Sequence, residues 1–238
     1  MSTTAALYLI PVEIGSNPTD MSIPSGNLSV VAGIRTFIVE NIRTARRFLR
    51  RWNHEFPIDD CEFFELNGHT PADLIPGYLK VLREGRPVGV MSEAGCPGVA
   101  DPGAAVVEVA QREGLKVIPL VGPSSILLSL MASGLNGQGF AFNGYLPIKD
   151  EERKKAVKEL EALAWRKEQT QIFIETPYRN NRMVASLAQA LRPDTLLCVA
   201  SDINSPDESI LTLPAAKWRT RKYDYDKRPA IFLIGKQH

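Results

Sequence analysis

Ser92-Glu-Ala-Gly-Cys-Pro-Gly-Val-Ala-Asp-Pro-Gly103 follows an apolar strand pattern, Pro87–Ser92, and opens onto a helical one, Ala104–Glu113. Gly95, Gly98 and Gly103 permit backbone conformations closed to other residues and let a ligand approach the main chain. Pro97 and Pro102 stiffen the segment, while Glu93 and Asp101 supply carboxylates. In open parallel sheets ligands sit outside the carboxyl ends of the strands, and this loop falls there. A glycine-proline loop can also be no more than a tight connection. Such connections usually take about 2–6 residues, and this one is longer.

A second loop, Leu120-Val-Gly-Pro-Ser-Ser-Ile126, also follows a strand pattern and opens a helix. Ser124 or Ser125 fits an N-cap, and the helix start exposes unpaired N–H groups that can hold polar ligand atoms. Alone, this is an ordinary capped helix. Next to the first loop, on a consecutive parallel strand, it points to a shared ligand crevice. The chain has no GxxxxGK followed by Ser or Thr, and no GxGxxG after its first strand. A P-loop nucleotidase and a standard dinucleotide site are therefore disfavoured, and the expected ligand lacks a polyphosphate.

Outward from these loops, short β-rich runs alternate with helical patterns. Strands are expected at Ala6–Val12, Thr36–Glu40, Glu62–Leu66, Pro87–Ser92 and Leu115–Leu120, and helices at Asn41–Trp52, Ala72–Glu84, Ala104–Glu113 and Ser125–Ser133. Such alternation gives an α/β fold, a parallel sheet covered by helices. Residues 14–27, rich in Ser, Pro, Asn and Gly, read as a loop on the first strand's carboxyl end. Asn136-Gly-Gln-Gly139 is a turn-rich break, so the expected domains are 1–136 and 137–238. After it come strands at Phe140–Leu146, Gln171–Glu175, Thr195–Ala200, Ser209–Leu213 and Pro229–Ile234, with helices at Glu151–Lys167 and Asn181–Leu191.

The 238 residues are enough for either one large domain or two small ones with real cores. A net charge of +1 means that any nucleic-acid surface is a local patch rather than a global field. Cys61, Cys96 and Cys198 are scattered, which suggests a reduced, intracellular chain. His54, His69 and His238 form no HxxxH pair, so no metal site is expected. No basic segment followed by an apolar run marks a signal peptide. The longest apolar stretch, Ile126–Leu135, is broken by Ser129, Ser133 and Gly134, far short of the ~20 residues of a membrane span. A cytoplasmic protein without a membrane partner is the expectation.

Within Glu40–Trp52, Ala45, Phe48, Leu49 and Trp52 form a core-facing stripe at 3.6-residue spacing. Arg43, Arg46, Arg47 and Arg50 fall on the other side with no acidic i+4 partner. They repel one another unless an anion neutralises them, and the planar guanidinium suits phosphate. A solvated basic face is the competing reading. A second basic group, Tyr178-Arg179-Asn-Asn-Arg182, favours a polyanionic substrate. Arg153, Lys154, Lys155 and Lys158 read as an exposed helix face. Lys217–Arg228, with Trp218, Tyr223 and Tyr225, reads as either an RNA contact or, more commonly, a surface hairpin.

Leu7-Tyr-Leu-Ile-Pro11 resembles the first strand of the tetrapyrrole-methylase superfamily. Glu40-x-x-Arg43, the 92–103 loop and Pro119-Leu-Val-Gly-Pro-Ser124 resemble one branch of it, as do Ser133-Gly-Leu135, Phe142-x-Gly-Tyr-Leu-Pro147 and Glu175-Thr-Pro-Tyr-Arg179. That branch is the ribosomal RNA small subunit methyltransferase I family, which methylates a cytidine ribose 2′-hydroxyl. The match runs from about residue 6 to 185. It implies two α/β domains of the tetrapyrrole-methylase type. The first has a mostly parallel sheet with flanking helices and the second a smaller mixed sheet with helices. The resemblance further implies S-adenosylmethionine held in the cleft between them, a homodimer, and ribosomal RNA or the small ribosomal subunit as the partner. By position, the cofactor contacts implied are Pro11, Glu93, Gly95, Val99, Ser124, Ser125 and Ile126, with Tyr145 and Pro147 from the second domain.

The chain departs from the family pattern in several places. Val12-Glu-Ile-Gly-Ser-Asn-Pro18 stands where the family has Pro-Ile-Gly-Asn-Leu, and Glu40-Asn-Ile-Arg43 where it has Glu-Asp-Thr-Arg. Glu93 replaces an Asp, Glu65-Leu-Asn67 is what remains of His-Glu-His-Asn, and the last 50 residues match no motif.

Methyl transfer from a sulfonium is a direct displacement that needs in-line positioning. A ribose hydroxyl is a weak nucleophile, helped by a nearby base. Glu40 is the first candidate, with a partner for Arg43 or a helix N-terminal charge as its structural alternative; Glu175 is the second. Three other functions compete. One is methylation of a tetrapyrrole or another small acid, since arginines hold carboxylates as readily as phosphates. Another is a non-catalytic RNA-binding protein that keeps the cofactor fold. The third is a flavodoxin-like binding module, disfavoured because no Ser/Thr-rich phosphate turn follows the first strand.

Overall fold

A computed structural model of the chain describes residues 3–16, 18 and 21–236. The chain folds as two compact units, Met1–Ser124 and Ser125–His238. In the first unit the elements are β1 (Leu7–Ile10), α1 (Gly26–Val31), β2 (Thr36–Val39), α2 (Ile42–Trp52), β3 (Glu62–Glu65), α3 (Ile75–Tyr78), α4 (Lys80–Arg83), β4 (Val88–Met91), α5 (Gly103–Arg112) and β5 (Val117–Pro119). The sheet order is β3-β2-β4-β1-β5, and every pairing is parallel. β2 and β4 are buried at every position, so they read as continuous apolar runs rather than alternating ones, as expected for strands covered on both faces. Gly89 in β4 has a packing reason: a Cβ there would lie 2.6 Å from Ile10 and 3.0 Å from Phe37, both fully buried.

The second unit contains α6 (Ser125–Ser133), β6 (Phe140–Tyr145), α7 (Asp150–Lys167), β7 (Thr170–Ile174), α8 (Asn180–Ala190), β8 (Leu196–Ser201), β9 (Ser209–Pro214), α9 (Ala215–Trp218) and β10 (Ala230–Gly235). Its sheet order is β6-β7-β10-β8-β9. The β6–β7 pair is parallel and the other three are antiparallel. Phe173, Phe232, Val199 and Leu187 centre its core, with Phe173 and Phe232 stacked at 5.8 Å.

Three local expectations are corrected. The helix expected over Ala72–Glu84 is two single turns, α3 and α4: Pro76 sits in the first turn of α3, where its missing N–H is tolerated and starts the helix later than Ala72, and Leu79, at φ −91° and ψ 5°, separates the two turns. Part of the expected 14–27 loop, at residues 17, 19 and 20, lies outside the described residues; its end already begins α1. The segment Lys217–Arg228 forms no hairpin. Trp218 ends α9 fully buried, its indole N–H donating to the Leu197 carbonyl at 2.9 Å, and Tyr225 is buried beside it. Among the described residues, no helix is long and apolar enough to cross a membrane.

Candidate functional site

The carboxyl ends of β1, β4 and β5 adjoin, because β1 pairs with both of the other strands. Beyond those ends the two glycine-proline loops are tied to the first strand's exit. Val12 and Gly95 exchange backbone hydrogen bonds of 2.9 and 3.0 Å. Gly95 does so at φ +72°, a conformation that L side chains resist. The Cys96 thiol donates to the Pro123 carbonyl at 3.2 Å; burial pushes its pKa up, keeping the proton that makes the contact. Gly122 lies against Pro11 so closely that a Cβ would sit 2.1 Å from the proline ring.

Asp101 braces the first loop from within. Both of its carboxylate oxygens accept from the Gly98 N–H at 2.9 Å, and one accepts from the Gly103 N–H at 2.7 Å. It thus satisfies an otherwise unpaired N–H at the start of α5. Burial lifts its pKa above the usual aspartate value, with these N–H donors pulling the other way. Outside this brace the loop walls a hollow of about 370 Å³, lined by Leu9, Cys96, Pro97, Gly98, Val99 and Pro119 among others, none of them charged. At Gly98 (φ +82°) the space where a Cβ would stand is open, and Val99 is half exposed. Apolar walls with accessible backbone and no cation suit a nucleoside that carries no phosphates.

A second hollow, of about 350 Å³, lies between this loop and α2. It is lined by Val12, Glu13, Thr44, Arg47, Arg51 and Glu93 among others. Glu40, just past β2, accepts the Glu93 N–H at 3.0 Å. Burial raises the Glu40 pKa, opposed by that hydrogen bond and reinforced by the charges of Asp101 and Glu93. The Thr44 hydroxyl donates to the Glu93 carboxylate. Asn41 caps α2, its side-chain oxygen accepting from the N–H groups of Arg43 and Thr44 at 3.0 and 3.2 Å. The helix is expected from Asn41; an Asn at that edge is the residue type that signals an N-cap, and the helix proper starts one residue later. The Thr44–Glu93 contact leaves no such signal, since the partners are 49 residues apart.

The arginine helix divides. Ala45, Phe48 and Leu49 are buried, as the spacing predicted, and Trp52 is half-buried. Arg46 pairs with Asp59 at 2.8 Å and stands over the Phe63 ring; Arg50 reaches the same carboxylate at 3.5 Å. Arg51 pairs with Glu13. Among the described residues, no carboxylate lies within ion-pair reach of Arg43 or Arg47, and both side chains are exposed.

The remaining expected site residues are placed as follows. Pro11 is buried, Ser124 is half-buried, and Glu93 is exposed. In the second unit, Ser125 and Ile126 open α6 half-buried, Tyr145 ends β6 well exposed, and Pro147 follows it half-buried. Glu175 follows β7, buried. One of its oxygens takes Arg179 at 2.6 Å and the Thr176 N–H at 2.6 Å. Burial pushes the Glu175 carboxyl up, but Arg179 and Thr176 outweigh it and the net shift is downward. Glu175 and Arg179 are thus committed to each other and order the turn that leads into α8, while Tyr178 is exposed between them. Arg182 likewise pairs with Asp150.

No family model matches the chain. Among curated proteins it is 29% identical, over 93% of its length and 73% of the relative's, to the ribosomal RNA small subunit methyltransferase I of Vibrio cholerae. It is 31% identical, over 87% of its length and 66% of the relative's, to the protein of the same name from Neisseria meningitidis serogroup A. Among solved structures it superposes on the methyltransferase CobJ with a TM-score of 0.64 at 19% identity, covering 97% of this chain and 94% of that one. It superposes on uroporphyrin III C-methyltransferase from Thermus thermophilus with a TM-score of 0.57 at 15% identity, covering 97% of both chains. The fold is that of the tetrapyrrole methylases, and with relatives of this kind the chain is a methyltransferase using a methyl donor of the S-adenosylmethionine type. Its curated relatives carry the name ribosomal RNA small subunit methyltransferase I at 26–33% identity over most of the chain.

Proposed function

We propose that the chain transfers a methyl group from S-adenosylmethionine to a ribose 2′-hydroxyl of small-subunit ribosomal RNA, in the cytoplasm and as a homodimer. The observation that carries this reading is a juxtaposition at one end of one sheet. The loop after β4 contributes to two hollows, an uncharged one on the α5 side lined by Cys96 to Val99 and a polar one on the α2 side lined by Glu93 and Arg47, with a second uncommitted arginine, Arg43, at the start of the same helix. The donor supplies an electrophilic methyl on a sulfonium sulfur. Pro11, Gly95, Val99 and Ser124 would hold it through apolar contact and backbone groups, with Glu93 at the rim. Ser125, Ile126, Tyr145 and Pro147 are the contacts proposed from the second unit. Arg43 and Arg47 would hold backbone phosphates, with Tyr178 available to stack a base. Arg46, Arg50 and Arg179 keep their structural partners and contribute field rather than direct contact. Glu40, its basicity raised by burial and by two neighbouring carboxylates, would accept the proton of the attacking hydroxyl.

The test is methyl transfer from labelled donor to small subunits purified from cells lacking the gene, followed by mass mapping of the modified nucleotide. Labelling of one ribose supports the reading. No transfer to subunits, with transfer to a porphyrinogen instead, overturns the substrate. No donor binding at millimolar concentration by calorimetry overturns the site. Light scattering at micromolar concentration tests the dimer.

A further inference from the structure

Six of the residues from Lys217 to Arg228 are cations and two are carboxylates, in a chain whose net charge is only +1. The structure uses these charges unevenly. Asp224 and Asp226 both turn to Asn181 in the first turn of α8, one accepting its side-chain amide and the other its backbone N–H, each at 3.0 Å. Arg219 donates to the carbonyls of Ala188 and Leu191 at the end of α8, at 2.8 and 3.1 Å. Arg228 is paired with Asp202. Both carboxylates and two of the cations are therefore committed to holding the segment on its own unit. Lys217, Arg221, Lys222 and Lys227 are left exposed, with no carboxylate in ion-pair reach among the described residues.

Next to these cations is a hollow of about 460 Å³, lined by Ala185, Gln189, Trp218, Arg221, Lys222 and Tyr223 among others. Its volume is in the roughly 300–1,000 Å³ range of sites that enclose small planar ligands. Tyr223 is half-buried and held by ring contacts with Trp218 at 5.9 Å and Tyr225 at 6.1 Å, so its ring is fixed before any ligand arrives. Aromatic groups set in a wall with cations at the rim suit an unpaired nucleotide, which offers a base to stack and a phosphate to neutralise. A duplex hides its bases and meets only the charges. A flat anionic surface would likewise meet only the charges.

We infer that this hollow on α8 and α9 is an RNA-docking subsite that seats one unpaired nucleotide of the substrate, with its base against Tyr223 and its flanking phosphates on Arg221 and Lys222. The inference rests on RNA being the substrate, and it adds a contact surface separate from the arginine helix.

The experiment measures fluorescence anisotropy of a labelled unpaired oligoribonucleotide and of a duplex of matching length. It compares wild type, Arg221→Glu/Lys222→Glu, Tyr223→Leu and Arg43→Glu/Arg47→Glu over a salt series. The expected result is a loss of roughly tenfold or more at low salt for Arg221→Glu/Lys222→Glu, with the log–log salt slope shallower by at least about 1.4 units, since each phosphate contact on a single strand contributes about 0.7. Tyr223→Leu should weaken the unpaired strand more than the duplex. Thermal melting and donor calorimetry identify any variant that fails to fold, and the two surface charge reversals are expected to leave both unchanged. If Arg221→Glu/Lys222→Glu binds the strand like wild type while Arg43→Glu/Arg47→Glu does not, the subsite is wrong and the RNA reading stands. If, in a parallel co-sedimentation with anionic phospholipid vesicles, wild type binds the vesicles and Arg221→Glu/Lys222→Glu loses them but keeps the strand, the patch belongs to a membrane surface and the subsite is wrong. If wild type binds no RNA at any salt, both fall.

Discussion

At the level of single residues, Glu40 combines two roles that one substitution separates. Its carboxylate holds the Glu93 N–H, and in the proposed reaction it takes a proton. Glu40→Gln keeps an oxygen for the N–H and removes the base. Its kcat is expected to fall by about 10²- to 10⁴-fold with donor affinity unchanged. Because burial, Asp101 and Glu93 lift the Glu40 pKa, wild-type activity should rise with pH through an ionisation above the ordinary glutamate value, and that limb should vanish in the variant. The sign for stability is the reverse. A raised folded pKa means the contribution is present below the unfolded pKa and lost as pH rises through the folded one, so the variant melts no lower than wild type at neutral pH. A pH–rate profile with parallel melts checks both; an unchanged kcat removes Glu40 as the base. Gly122 makes a steric case. A Cβ there meets the Pro11 ring at 2.1 and 2.4 Å, and a ring anchored in the main chain cannot rotate away. Gly122→Ala should cost about 1–3 kcal/mol by denaturant melt and weaken donor binding, since the shift passes through Pro123 to the Cys96 contact.

At the level of elements, α2 carries an anchoring face, a neutralised pair and a free pair. Asp59 lies outside the helix and serves Arg46 and Arg50 together, which relieves repulsion that the sequence of the helix alone leaves unanswered. Asp59→Ala should therefore cost no more than about 1 kcal/mol, as exposed ion pairs do, and should leave RNA affinity equal or higher. Arg43→Glu/Arg47→Glu should lower it roughly tenfold or more at low salt. Filter binding of an oligoribonucleotide to both variants distinguishes a free pair from a uniformly basic face. The helix stripe and the central strands were legible because burial imposes its period directly on the sequence. The glycine-proline loops were legible because left-handed backbone and rigid turns leave a local composition. What was not legible depends on distant partners. Asp59 with Arg46 and Thr44 with Glu93 are pairings of residues 13 and 49 apart. The pairing of Glu175 with Arg179 was within range at four residues, but from the sequence Glu175 is only a second candidate base, unconnected to Arg179. The segment Lys217–Arg228 misread as a hairpin because its aromatic residues pack into a core that its own composition does not reveal.

For the whole molecule, near-neutrality makes electrostatics a matter of where charges lie. A chain at +1 exerts little field at a distance, so in the proposed complex RNA would be held by local groups of unneutralised cations, among them Arg43 and Arg47 in the first unit and Arg221 and Lys222 in the second. In the proposed site donor binding would be governed differently, because the hollow at the first unit's loops has no charged lining. Salt should therefore separate the two ligands. If all four cations meet phosphates of one strand, the slope of log affinity against log salt is about −3, and a rise from 50 to 200 mM weakens RNA binding roughly 50-fold. Over the same range, donor affinity should barely move. Parallel titrations of oligoribonucleotide by anisotropy and donor by calorimetry provide the comparison. An RNA slope near zero would mean that these cations do not meet phosphate, and recognition would then have to rest on base contacts alone. A donor affinity that fell in step with the RNA would place charge in a hollow where the structure has none.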